Sequence, residues 1–277
     1  MFAKIVQYTC VFTYLISSAP CFGHSELSGN DTPSIGSKAP TITGDVTERS
    51  MSILAKARDT NEEVYTNLSS FVCNEEINRF KGPLESDTAK QIDTVTATVS
   101  FENGTEHYSD IRQNTRSRPS ISSLAGAWSE GEFGTLLRQT QLLMDTQTPR
   151  FEAYTELNGV PSAVYEMYVG AQESPWDLEV RSQHYRVPFR TKVWVSETNG
   201  EILKIERIST SVPFEVGISE IQWNVEMKEF EINGRTWLLP SVGEYAVMYE
   251  ETGHREWNIM HFTNYRRYGS EVAIKFQ

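Results

Sequence analysis

Residues 186–209, RVPFRTKVWVSETNGEILKIERIS, are the stretch that decides the fold class. β-Branched and aromatic residues lie on both sides of Asn199-Gly200, and such residues suit the pleated surface of a sheet. Asn-Gly accepts the positive φ angles that a hairpin turn needs. The stretch therefore predicts two antiparallel strands joined by a tight turn.

Two registers are possible for this hairpin, because a two-residue or a three-residue loop could close it. The two-residue loop would place Val195 opposite Lys204, and so mix charge into the apolar face. The three-residue loop, with Gly200 in a left-handed conformation, keeps one face apolar. We therefore expect these pairs: Val193 with Ile205, Val195 with Leu203, and Lys192 with Glu206.

Three further Asn-Gly dipeptides begin at Asn103, Asn158 and Asn233, each between strand-like runs. They indicate consecutive antiparallel hairpins in one meander. The predicted fold is mainly β (α+β), a large curved antiparallel sheet or half-barrel of about ten strands. The strand-like runs are residues 71–81, 91–101, 105–113, 150–157, 160–169, 178–186, 218–232, 235–249, 255–263 and 271–276.

Two helices are predicted, one before the strands and one between them. Residues 50–68 carry an apolar stripe at helical spacing, formed by Leu54, Ala57, Asn61, Val64 and Leu68. Residues 128–145 form the second, inserted helix, whose broad apolar face holds Phe133, Leu136, Leu137, Leu143 and Met144. The inserted helix either covers a filled sheet or guards a cavity under a curved one, and the sequence leaves both interpretations open.

The N-terminus has the pattern of a signal peptide, residues 1–23, with Lys4 before an apolar core and a cleavage site after Gly23. The apolar run is too short for a transmembrane helix, which needs roughly 20 residues. Export to the periplasm or the extracellular space is therefore predicted. Lipid anchoring at Cys21 is an alternative, although residues 18–20 depart from the lipidation pattern.

The mature chain is predicted to have two sections. Residues 24–49 are rich in Ser, Thr, Gly, Pro and Asp and are expected to form a disordered tether. Residues 50–277 are expected to form one β domain with two helices. Processing leaves Cys73 alone, so we expect a buried, unpaired thiol rather than a disulfide.

Charge and motifs limit the function. The formal net charge of −12 argues against nonspecific binding to nucleic acid or anionic lipid, because both need a basic face. The five histidines are scattered and predict no metal site. No catalytic motif, phosphate-binding glycine loop or dinucleotide fingerprint is present, so neither an enzyme nor a cofactor is predicted.

Several blocks together resemble a family of uncharacterised secreted bacterial proteins. The blocks are SSFVCNEEINRF, WSEGEFGTLL, YRVPFRTKVWVSETNGEILKIE, NGRTWLLPSVGEY and NYRRYGSEVAIKF, within residues 53–276. The order of elements is similar in turn to the periplasmic lipoprotein-carrier superfamily. That resemblance implies a strongly bent antiparallel sheet that wraps helices and shields acyl chains.

The functional prediction is therefore an exported cell-envelope protein that binds or carries an apolar small molecule, a lipid or a lipoprotein acyl chain. The alternative is a non-catalytic structural or partner-binding envelope module with a filled core. The sequence leaves the oligomeric state open. The ligand-binding residues predicted by the first hypothesis are Phe133, Leu136, Leu137, Val193, Val195, Leu203 and Ile205.

Overall fold

The computed structural model describes residues 3–6, 42–85 and 88–267. Eleven antiparallel strands form one large, curved and open sheet, with an N-terminal helix and one inserted helix. The predicted fold class is confirmed. No helix in the described part of the chain is long and apolar enough to cross a membrane.

The helices are α1 (Ile42–Leu68) and α2 (Thr135–Thr146). The strands of the large sheet are β2 (Phe71–Pro83), β3 (Lys90–Glu102), β4 (Thr105–Gln113), β5 (Arg116–Ser117), β6 (Arg150–Leu157), β7 (Val160–Val169), β10 (Phe189–Ser196), β11 (Ile202–Ser209), β12 (Glu220–Ile232), β13 (Arg235–Tyr249) and β14 (His254–Arg267). A small second sheet contains β1 (Ala3–Val6), β8 (Asp177–Val180) and β9 (Gln183–Arg186).

The order of strands in the large sheet is β5-β4-β3-β2-β14-β13-β12-β11-β10-β7-β6. The expected hairpins are present, but the sheet is not one meander. The first long strand, β2, pairs with the last described strand, β14, and so joins two meanders. Strands β8 and β9 lie between β7 and β10 in the chain but belong to the small sheet. In the large sheet, β7 therefore pairs directly with β10.

Three of the four Asn-Gly turns have the geometry that their sequence predicts. Both residues of Asn103-Gly104, Asn158-Gly159 and Asn233-Gly234 have positive φ angles. This is the type I′ turn, whose twist matches that of the flanking strands. The predicted strand 178–186 is wrong in one respect, because a turn at Arg181-Ser182, also with positive φ, folds it into the hairpin of β8 and β9.

The organising hairpin, β10–β11, differs at one pair. Val193 faces Ile205 and Lys192 faces Glu206, as expected. Val195 faces Ile202 rather than Leu203, because the register shifts between Trp194 and Val195. A β-bulge of this kind sets two residues of one strand against one of the other. Leu203 is the extra residue.

The tip of this hairpin docks on α1. Gly200 has a φ of 79°, as predicted, and a Cβ there would lie 2.9 Å from the backbone nitrogen of Ala57. The buried Asn61 side chain donates to the carbonyl of Gly200 at 2.9 Å and accepts from the amide of Ile202 at 3.1 Å. The helix thus contributes two hydrogen bonds to the bulged end of the hairpin.

Both helices have different limits from those predicted. Helix α1 begins at Ile42 rather than near Ser50, so the last part of the expected tether, residues 42–49, is helical. Residues 7–41 lie outside the described residues. Helix α2 begins only at Thr135, since residues 128–134 form the loop that leads into it.

Both helices pack on the same face of the sheet, here called the inner face. The Tyr165 hydroxyl on β7 donates to the carbonyl of Ser50 in α1, at 2.6 Å. Arg207, on the same face of β11, donates to Gln139 in α2 at 2.6 Å. One apolar cluster fills the space between them, and the unpaired Cys73 is buried in it, as expected.

Candidate functional site

Polar side chains form a row across the inner face, one from each of seven neighbouring strands. Each member is paired in register with the next, and all are buried. From β10 to β3, the row consists of Thr191, Arg207, Trp223, Tyr245, Asn258, Arg79 and Asp93. The neighbouring row in the same register, which includes Val193, Ile205, Val225 and Ile77, is apolar.

At the β3 end of the row, the polar side chains have hydrogen-bond partners. Arg79 makes a two-pronged ion pair with Asp93, both contacts at 2.6 Å, and donates to the carbonyl of Ala125 at 2.7 Å. Asn258 donates to the carbonyl of Ala127 at 3.1 Å. These bonds hold the loop before α2 against the sheet, and they satisfy the polar atoms that the sheet buries here.

The β11 end of the row is different, because Arg207 is buried without an anionic partner. None of the ion pairs among the described residues includes it, and its Nε has no hydrogen-bond partner there. Its two terminal nitrogens donate to the neutral side chains of Gln139 and Thr140, at 2.6 and 3.4 Å. Burial lowers the pKa of Arg207 to about 9, so it stays charged at neutral pH.

Aromatic rings surround this guanidinium. Its carbon lies 4.6 Å from the ring centre of Phe189 and 5.9 Å from that of Trp223. Trp176 contacts both rings, with centre-to-centre distances of 5.7 and 6.0 Å. The indole N–H groups of Trp176 and Trp223 have no partner among the described residues, and the same is true of the Tyr245 hydroxyl.

Helix α2 lies over this region and is held by a charged side chain at each end. At its N-terminus the Glu106 carboxylate accepts from the amides of Gly134 and Thr135, at 2.7 and 3.0 Å. At its C-terminus the Arg58 guanidinium donates to the carbonyl of Met144 at 2.9 Å. Both charges have the sign that the helix dipole favours.

Three more carboxyl groups, those of Glu75, Glu130 and Glu132, lie near Glu106. Burial raises the pKa of Glu132 to about 8 and that of Glu130 to about 7, and the Glu106 carboxylate adds to both shifts. Burial also raises the pKa of Glu75. One oxygen each of Glu75 and Glu132 has no described partner. In the described part of the chain, no group of three or more His, Cys, Asp or Glu could hold a metal ion.

The structure brings most of the predicted ligand-binding residues together. Six belong to the apolar cluster that fills the space between the two helices and the inner face: Phe133, Leu136, Leu137, Val193, Val195 and Ile205. Leu203 is also buried but lies outside that cluster, because the bulge changes the place of this residue in the strand. Whether a ligand binds among these side chains stays a prediction.

Two hollows of the surface lie away from these residues. One, of about 130 Å³, lies between α1 and β13 and is lined by residues that include Thr60, Val64 and Trp237. The other, of about 480 Å³, lies at the sheet edge near β5 and is lined by residues that include Ile92, Gln113 and Arg116. Neither hollow is lined by a predicted ligand-binding residue.

Sequence reasoning missed Arg207, although a signal for it was present. Side chains two positions apart in a strand share a face, so the burial predicted for Ile205 applies to Arg207 as well. A charged residue in a buried position is the informative exception to the alternating pattern. The position of Trp176 in this site could not be predicted in this way, because Trp176 lies in a loop and not in an alternating strand.

Comparisons with known proteins include a distant similarity to a solved structure. No protein-family model and no curated protein matches the chain. A solved structure of a DUF1329 family protein from Desulfovibrio piger is similar over 79% of this chain and 94% of its own, with 9% identity and a TM-score of 0.36. A similarity of this size supports no conclusion about function, and the resemblance to lipoprotein carriers stays a hypothesis.

Proposed function

We propose that this protein is an exported, non-catalytic cell-envelope protein that binds an apolar ligand between helix α2 and the inner face of the sheet. The observation that carries the proposal is the set of buried polar atoms in the polar row of the inner face that have no described hydrogen-bond partner. Arg207, Trp223 and Tyr245 each bury a polar atom without a described partner, whereas Arg79 in the same row is fully paired.

Unpartnered buried polar atoms are costly. Each one forfeits about 1–3 kcal/mol relative to a satisfied group. A core selected only for stability would pair or replace such groups, as the β3 end of the row does. A site that receives a ligand keeps a few polar groups inside an apolar surround to orient it. The region beneath α2 has this composition.

The apolar part of the site comes from the side chains around the row. The six clustered residues predicted from sequence belong to the apolar core that both helices share with the sheet. The ring of Phe189, with Trp176 against it, lies beside the Arg207 guanidinium that contacts α2. Burial of apolar ligand surface contributes about 25 cal/mol per Å². An acyl chain could therefore bind without any covalent chemistry, once α2 moves outward to admit it.

The alternative is a structural or partner-binding module with a filled core. It is favoured by the burial of all seven predicted residues and by the charged side chains that hold α2 at both ends. The two functions differ in whether α2 can leave the sheet while the protein stays folded.

A charge placed under α2 separates the two functions. Leu137 is buried, whereas Leu142 on the same helix is 42% exposed. If a ligand binds under α2, Leu137→Glu should lower the affinity for a fluorescent fatty acid at least tenfold. The variant should keep the circular dichroism spectrum of the folded wild type. Leu142→Glu should bind like the wild type. Affinity and spectrum are measured on the same samples.

In a permanently filled core, the Leu137→Glu carboxylate would have no room to reach solvent. An unpaired buried charge costs several kcal/mol, so this variant would unfold while Leu142→Glu would not. Unfolding of Leu137→Glu, together with no probe binding by the wild type, would contradict the ligand-binding function and favour the module.

A further inference from the structure

Arg207 is a buried cation whose partner is absent from the described residues. The sheet shows what a stably buried arginine requires, because Arg79 in the same row has Asp93 as its counter-ion. No described residue fulfils this role for Arg207, and burial lowers its pKa. A buried charge is costly unless an opposite charge pairs with it.

The donors around Arg207 suit an oxyanion. The Nε of Arg207 and the indole N–H groups of Trp176 and Trp223 are three donors without described partners. They belong to side chains in mutual contact, as the ring distances of 5.9 and 6.0 Å show. A carboxylate or phosphate has only acceptor oxygens, and its hydrogen bonds to a guanidinium are roughly twice as strong as neutral ones.

The rings also restrict the rest of the ligand. Phe189, Trp176 and Trp223 are each buried completely and adjoin the apolar cluster beneath α2. A small hydrated anion would lose its water there without gaining apolar contacts. An anion attached to a hydrocarbon chain gains both kinds of contact at once.

We infer that Arg207 binds the acidic head group, a carboxylate or a phosphate, of a single-chain amphiphile whose tail lies between α2 and the sheet. The inference rests on the proposed function and adds the ligand class to it. The head group would take the place of Gln139 or Thr140 on the guanidinium. Both are neutral partners on α2, so binding of the anion frees the middle of this helix from the sheet.

Calorimetric titration of the wild-type chain with matched ligands tests the head group. Palmitate and methyl palmitate share the tail and differ in charge, and hexadecyl phosphate carries the other acidic head. Acetate and inorganic phosphate supply the head groups without a tail. We expect palmitate or hexadecyl phosphate to bind at least tenfold more tightly than methyl palmitate, and the stronger of the two identifies the head group.

Two variants then locate the charge. Arg207→Met keeps the length of the side chain without its charge and should reduce the preference for the acidic amphiphile to less than threefold. Arg190→Met is the matched control on the neighbouring strand. Its Nε lies 3.4 Å from Glu166 on the other face of the sheet, so the preference should stay at the wild-type value.

Each contrary result has its own meaning. Equal affinities for palmitate, hexadecyl phosphate and methyl palmitate in the wild type would overturn the anion site and leave binding of an apolar ligand standing. Binding of acetate or inorganic phosphate as tight as that of the amphiphiles would overturn the need for a tail. No binding of any amphiphile would overturn the proposed function together with this inference.

Discussion

At the scale of single residues, two arginines of one row have opposite surroundings. Arg79 has the Asp93 carboxylate at 2.6 Å, and Arg207 has only neutral partners. Removing one member of a buried ion pair leaves the other charge buried without a partner, which destabilises the fold. Removing a buried charge that has no counter-ion instead relieves the free-energy cost of its desolvation. The same substitution should therefore have opposite effects at the two positions.

We predict that Arg79→Met lowers the free energy of unfolding by about 3–5 kcal/mol. Arg207→Met should raise it by about 1 kcal/mol, because no buried carboxylate is left behind. Urea denaturation of the two variants beside the wild type measures both values. Comparable destabilisation by both changes would show that Arg207 is compensated by groups other than its described neighbours.

The Glu132 carboxyl predicts an unusual dependence of stability on pH. Its pKa is raised from 4.5 to about 8, first by burial and then by the Glu106 carboxylate. The folded state therefore holds a proton that the unfolded state releases at lower pH. This contribution to stability is complete below about pH 4.5 and is lost as the pH rises towards 8.

Melting temperatures of the wild type and Glu132→Gln between pH 5 and 9 check this prediction. The stability of Glu132→Gln relative to the wild type should increase as the pH rises through this range. Glu130, whose pKa is about 7, and Glu75 remain in both proteins. The difference between the two curves therefore reports the Glu132 carboxyl together with its charge coupling to these two groups. Parallel curves would mean that Glu132 does not hold its proton in the folded state.

At the scale of elements, the hairpin β10–β11 shows how far local signals reach. Alternation predicted the pairing of Val193 with Ile205 correctly, and Asn-Gly placed the turn. The bulge beside Val195 has no signal in the strand pattern, and it adjoins the hairpin tip that docks on α1. Asn61 makes the hydrogen bonds that tie this tip to the helix.

Substitutions at two glycines distinguish the cost of backbone strain from the cost of disturbing this contact with α1. Gly200 and Gly159 have similar φ angles, 79° and 83°. A Cβ at Gly159 would meet nothing within 4 Å, whereas one at Gly200 would lie 2.8 Å from the Lys56 side chain and 2.9 Å from the backbone of α1. Gly159→Ala should cost about 1 kcal/mol from the left-handed backbone alone.

Gly200→Ala should cost a further ~1–3 kcal/mol, since the added carbon overpacks the contact with α1. Urea denaturation of the two variants gives the difference directly. Equal costs would indicate that the hairpin tip is not held against the helix in solution.

At the scale of the whole molecule, long-range pairing is what the sequence left undetermined. Every hairpin with an Asn-Gly turn was predicted, because strand and turn are neighbours in the chain. No local sequence signal predicts the pairing of β2 with β14, because paired residues such as Ile77 and Met260 are far apart in the sequence. The candidate site depends on the same kind of contact, because Arg207, Trp176 and Gln139 come from separate elements.

The proposed export predicts where the mature chain begins and the state of its cysteine. We expect a chain that begins near His24, with Cys73 buried, reduced and unpaired. Its intact mass should increase by one alkyl group when it is alkylated under denaturing conditions. A diacylglyceryl group on Cys21, or a mass that retains residues 1–23, would contradict this prediction.

Native mass spectrometry of the protein, purified without detergent, tests the central claim most directly. A protein that binds an amphiphile between α2 and the sheet should carry one lipid-sized adduct. The adduct should be an acid, and Arg207→Met should reduce its occupancy severalfold. A wild-type mass equal to that of the polypeptide alone, which stays unchanged after incubation with palmitate or hexadecyl phosphate, would contradict the account.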